Sequence, residues 1–131
     1  LPGDNPPRTP AVPAPDVSRL DSFIRRLEAQ RACLDWACEA IAGTPGVVLE
    51  LGLGNGRTYD HLRERLGAAR EIYAFDRRLD AHPGCVPPAS RLLVGELRQT
   101  LPRFAGRPAA LAHADDLAVL DADVALDDAD D

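Results

Sequence analysis

One stretch constrains this chain more than any other: Val47-Val48-Leu49-Glu50-Leu51-Gly52-Leu53-Gly54-Asn55-Gly56-Arg57-Thr58-Tyr59-Asp60-His61-Leu62. Its first five residues are an apolar run with one carboxylate, the pattern of a short buried strand. Gly52, Gly54 and Gly56 then let the backbone turn sharply and leave no side chain between it and a ligand. From Arg57 the chain can wind into a helix whose free N–H groups and positive dipole end point back at the turn. Strand, glycine turn and helix form a cradle for a nucleotide-like ligand. Which nucleotide, and in what fold, is for the remaining residues to say.

The flanking sequence alternates helix and strand signals. Ser18 to Ala42 read as a first helix, with Ser18 as cap and Asp21 in the first turn. Leu20, Phe23, Ile24, Leu27, Leu34, Cys38 and Ile41 follow helical spacing, and Gly43 and Pro45 end the pattern. After the glycine turn, a helix is predicted from about Gly56 to Leu66. Glu71 to Phe75 give a second strand with Asp76 at its end. Arg77 to Ser90 hold Pro83, Gly84, Pro87 and Pro88 and read as a turn and a loop in place of a full helix. Arg91 to Val94 are a third strand, followed by Gly95-Glu96 and a short helix over Leu97 to Phe104. Pro108 to His113 are a fourth strand. This alternation predicts an α/β fold: an open, Rossmann-like parallel sheet of about four strands with flanking helices.

Composition adds limits. The 131 residues are 45% hydrophobic, enough for one domain with a real core, and no run is long enough to span a bilayer. The net charge of −6 is unevenly spread: residues 1–114 hold all 15 arginines against 13 acidic residues, and residues 115–131 hold 8 aspartates and no base. The near-neutral body does not describe a nucleic-acid groove. Six prolines before Asp16 make residues 1–16 a disordered leader. Residues 17–114 are the predicted domain. Residues 115–131 read as an acidic low-complexity tail, with Leu117, Leu120 and Val124 able to share one helix face. Cys33, Cys38 and Cys85 form no CxxC pair, and three scattered histidines do not make a metal site. With no secretory signal, free thiols in the cytoplasm are expected.

The glycine spacing separates the nucleotides. A dinucleotide fingerprint needs Gly-x-Gly-x-x-Gly, whereas here the third glycine comes one residue early and Arg57 takes its place. The lysine of a phosphate-binding loop is absent. The pattern Glu50-x-Gly52-x-Gly54-x-Gly56, with Asp76 ending a strand 20 residues later and Gly95-Glu96 ending the next, resembles class I S-adenosylmethionine-dependent methyltransferases. The resemblance covers about Ser18 to Asp115 and is closest to a small bacterial branch.

The resemblance implies S-adenosyl-L-methionine as cofactor and methyl transfer to an unidentified acceptor. It implies that Glu50 helps hold the methionine amino end through the turn, and that Glu96 faces the adenine amine. Asp76, as a carboxylate at a strand end, can accept both ribose hydroxyls. Gly52, Gly54 and Gly56 form the cradle, and Arg57 or Thr58 can touch the cofactor. His113 ends the fourth strand, where the family often places acceptor-site groups, and is the one candidate general base. A non-catalytic cofactor-binding or interaction module retaining the same fold is the alternative. A nicotinamide-dependent oxidoreductase is disfavoured by the glycine spacing.

Members of that family usually have seven strands in the order 3-2-1-4-5-7-6. This chain is read as reaching the fourth, in the order 3-2-1-4. A C-terminally truncated or frame-shifted reading is one explanation. The other is a partner or second copy, a homodimer, joined through the exposed edge of the fourth strand.

Overall fold

The computed structural model describes residues 17–114 and 117–124. Backbone contacts divide the chain between Ala32 and Cys33, within the first helix. In the amino-terminal unit, α1 (Arg19–Ala40) begins at Ser18, whose Oγ accepts the Asp21 N–H at 3.0 Å. The predicted cap is therefore formed. Leu20, Phe23, Ile24 and Leu27 are exposed there, so the predicted apolar stripe does not bury its first half.

The second unit is an α/β sheet. In chain order it holds β1 (Val47–Leu51), α2 (Arg57–Leu66), β2 (Ile72–Asp76), β3 (Leu92–Val94), α3 (Leu97–Thr100), β4 (Ala109–Ala114) and β5 (Leu117–Ala122). A turn of 3-10 helix, Leu101–Phe104, extends α3. Gly67 ends α2 with φ 72°, its N–H donating to the Arg63 carbonyl. The loop between β2 and β3 carries only two 3-10 turns, Pro83–Cys85 and Ala89–Arg91, because prolines leave too few amide donors for a full helix.

The sheet order is β3-β2-β1-β4-β5. The first four strands pair in parallel, and β5 runs antiparallel to β4. The predicted order 3-2-1-4 stands, and two expectations change. Leu117 to Ala122 form a strand instead of a helix or featureless tail. The edge of β4, expected to be open for a second copy, is paired by β5, so β5 and β3 are the outer strands. The physical reason is context: β4 presents unpaired backbone groups, and the following segment satisfies them through a hairpin ladder. The Pro-rich leader and residues 125–131 lie outside the described residues, so the predicted leader and the end of the tail do too.

Two apolar layers cover the sheet. On one face, Leu34 and Ala37 of α1, Ile41 just after it, and Tyr59 and Leu62 of α2 pack over Val48, Ile72, Ala74 and Leu111. On the other, Phe104 packs with Val47, Leu49, Phe75 and Leu93, meeting Phe75 and Tyr73 edge-on at ring-centroid distances of 5.5 and 4.8 Å. Each such large side chain removed from water stabilises the fold by about 1.5–3 kcal/mol. Arg70 fastens the chain between α1 and β1, donating to the carbonyls of Ile41, Thr44 and Gly46 at 2.7–2.9 Å. Among the described residues, no helix is long and apolar enough to cross a membrane.

Candidate functional site

The predicted residues gather at the carboxyl ends of the parallel strands, where open α/β sheets bind ligands. β1 runs into Gly52, β2 ends in Asp76, β3 leads into Gly95-Glu96, and β4 carries His113. The glycine turn is fastened to β2 by its own backbone: the Gly52 and Leu53 N–H groups both donate to the Phe75 carbonyl, at 2.8 and 3.0 Å. The Gly54 N–H donates to Asp76 Oδ2 at 2.7 Å, and the Arg77 N–H donates to Oδ1 at 2.7 Å. Asp76 thus joins the turn to the end of β2. Each carboxylate oxygen keeps a further lone-pair site for an incoming hydroxyl.

The three glycines, alike in the sequence, have different surroundings. A Cβ added to Gly52 or Gly54 meets no atom within 4 Å, so this edge of the turn opens into free space. A Cβ on Gly56 lies 2.6 Å from the Cys85 Cβ and 2.7 Å from its carbonyl oxygen. Gly56 is bare so that the 81–85 loop can lie against it. That loop is further held by the His82 N–H on the Asn55 carbonyl, at 3.2 Å, and by Arg63 donating to the Gly84 carbonyl. Asn55 itself accepts the Arg57 N–H on Oδ1 at 3.0 Å, closing the entry to α2. The proline-rich loop read as irregular, and nothing in its sequence pointed to Gly56 as its docking point.

Glu50 is wholly buried and does not line the open edge. Its Oε2 accepts the Thr58 hydroxyl at 2.8 Å, and its Oε1 lies 2.6 Å from His113 Nδ1. His113 is buried as well, so the candidate general base faces a carboxylate inside the fold. Glu96 is exposed and pairs with Arg77 at 3.2 Å, linking the ends of β2 and β3. Arg57 is exposed at the start of α2. His61 lies away from this group, bound to Asp35 at 2.7 Å, with Arg65 on the same carboxylate oxygen at 3.1 Å. Among the described residues no group of three or more His, Cys, Asp or Glu is placed to hold a metal. A pocket of about 350 Å³ lies at the opposite end of the strands, lined by Gly46, Arg70, Glu71 and Arg107 among others, and none of the predicted residues reaches it.

Residues 17–127 match the family described as S-adenosyl-L-methionine methyltransferase. The chain belongs to this family. A solved S-adenosyl-L-methionine methyl transferase from Silicibacter pomeroyi DSS-3 is 50% identical and superposes with a TM-score of 0.68. The match covers 78% of this chain and 64% of that one, so the chain spans under two-thirds of that methyltransferase's length. No match was found among curated proteins.

The family cofactor, S-adenosyl-L-methionine, can be tested against these residues. It carries no phosphate, and the open edge offers bare glycine backbone at Gly52 and Gly54. Its ribose hydroxyls and adenine amine are hydrogen-bond donors, and two carboxylates, Asp76 at the end of β2 and Glu96 just beyond β3, are acceptors. The residues fit the group.

Proposed function

We propose that this chain forms the cofactor-binding part of an S-adenosyl-L-methionine-dependent methyltransferase and takes part in methyl transfer to an acceptor. The observation that carries the reading is the bare edge at Gly52 and Gly54, held open by the Gly54 N–H bond to Asp76. In this reading the backbone of Gly52 to Gly54 lies along the amino-acid portion of the cofactor, and Gly56 supports the turn by admitting the 81–85 loop. Asp76 accepts the ribose hydroxyls, Glu96 meets the adenine amine, and Arg57 borders the ligand. Glu50 and Thr58 act from behind the turn.

The cofactor supplies a methyl group on a sulfonium, whose positive charge is lost on transfer. The chain's task is to fix the direction of that methyl group and keep water from the site. Alignment of this kind is worth up to about 7–11 kcal/mol of a bimolecular barrier.

Isothermal titration with S-adenosylhomocysteine and with NAD tests the binding. Saturable binding of the first and none of the second is expected; binding of NAD alone overturns the proposal. A second reading, a cofactor-binding module without turnover, is favoured by the burial of His113 against Glu50. Tritiated methyl transfer into a fractionated small-molecule extract decides between them. Label appearing in a product supports the methyltransferase, and bound cofactor without transfer to any fraction supports the module.

A further inference from the structure

We propose that His113 is a positioning residue for the cofactor turn: it orients Glu50, and Glu50 in turn holds Thr58 and the first turn of α2. This rests on the S-adenosyl-L-methionine reading above. Glu50 stands two residues before Gly52, and Thr58 stands two residues after Gly56. The hydrogen bond between them closes a short ring that contains the whole glycine turn. Within the turn, the Gly52 and Leu53 N–H groups bind the Phe75 carbonyl, the Gly56 N–H binds the Leu53 carbonyl, and Leu53 is buried in the core. The Glu50–Thr58 bond adds a side-chain link that joins the strand before the turn directly to the helix after it.

The ring is only as rigid as the carboxylate that closes it. A buried carboxylate is costly without partners, and a free one is drawn towards water. Glu50 is fully enclosed, with one oxygen matched to Thr58 and the other to His113. The His113 contact is set by the sheet and not by a mobile surface side chain: Glu50 and His113 are direct partners in the β1–β4 register. The path therefore runs from β4 through β1 to the start of α2 and passes behind the turn. With its Nδ1 on Glu50 and its ring buried, His113 is placed to act through the carboxylate.

The test compares His113→Leu, which removes the donor, with His113→Asn, whose amide restores one near the Nδ1 position. Thr58→Val cuts the last link and leaves the buried pair intact. Affinity for S-adenosylhomocysteine is measured by titration, folding by urea denaturation, and the turn by the amide resonances of Gly52, Gly54 and Gly56. His113→Leu should bind about tenfold more weakly and shift those resonances, whereas His113→Asn should stay within about threefold of the unaltered protein. Thr58→Val should weaken binding in the same direction. If His113→Leu is less stable but binds with unchanged affinity and unshifted glycine amides, the inference is overturned. If His113→Leu does not fold, unchanged affinity in Thr58→Val overturns it. Failure of the unaltered protein to bind S-adenosylhomocysteine instead overturns the cofactor reading, and this inference with it.

Discussion

Gly56→Ala should be the most damaging single-methyl change in the glycine turn, through folding and not through the ligand. Gly56 precedes α2 with φ 88° and ψ 4°, a left-handed conformation that costs an L-residue about 1–2 kcal/mol. The added Cβ would lie 2.6 Å from the Cys85 Cβ, 2.7 Å from the Cys85 carbonyl oxygen and 3.3 Å from the Ala81 Cβ. Two of these are far inside the usual contact separation of about 3.5–4.0 Å. Overpacking of this kind costs about 1–3 kcal/mol, which brings the whole effect to about 2–5 kcal/mol. The loop cannot simply step back, because the His82 N–H and the Arg63 guanidinium bind it to the turn and to α2. Against a total stability of about 5–15 kcal/mol, the loss is large. Urea denaturation should show a lower midpoint at unchanged slope. Trimming Cys85 to Ser in the same chain should not rescue it, since the Cβ and the carbonyl remain. Gly54→Ala, whose Cβ meets nothing, should pay only the conformational cost in stability and lose cofactor binding instead. A Gly56→Ala protein within about 0.5 kcal/mol of the unaltered one would refute this account of the turn.

Other expectations can be checked as directly. Asp76→Ala leaves the Gly54 and Arg77 N–H groups without their acceptor and should weaken S-adenosylhomocysteine binding by about tenfold or more in titration. Arg70→Ala removes three bonds to carbonyls and should cost about 2–4 kcal/mol in urea unfolding, with Arg70→Lys recovering only part of it. Burial, and next the Asp35 carboxylate, push the Cys38 thiol up from its ordinary range, so its thiolate forms only at higher pH. Iodoacetamide should therefore label exposed Cys33 ahead of Cys38 near neutral pH, the gap narrowing as pH rises; equal rates in the folded protein would contradict it.

The glycine pattern and the strand ends were legible because they are local. A strand, a turn with three bare positions and a helix start lie within sixteen residues; Asp76 ends the next strand, and Glu96 follows the third by two residues. β5 was not legible. Leu117, Leu120 and Val124 have helical spacing, and the Ala and Leu around them favour a helix intrinsically. What makes a strand of them is the open side of β4, a tertiary fact. The environment of Glu50 was hidden for the same reason. Its spacing from Gly52 marked it as part of the turn, yet its burial depends on His113, 63 residues further along. The first half of α1 shows the converse: the periodicity of Leu20 to Leu27 is real, but periodicity alone does not bury a face.

The Glu50–His113 pair also bears on the order of assembly. β4 and β5 meet across a short connection, and β1 and β2 across one helix, so each pairing closes a short loop at small entropic cost. Joining β1 to β4 closes a far longer loop, and such distant contacts slow folding. Until that junction forms, Glu50 has no partner for one of its oxygens, and β1 cannot shed its water at that end without stranding a charge. The dry interior behind the glycine turn is thus completed at the same moment as the central junction of the sheet. A chain in which that junction is missing would keep the turn's bonds to Phe75, Asp76 and Thr58 but lack the His113 contact behind Glu50.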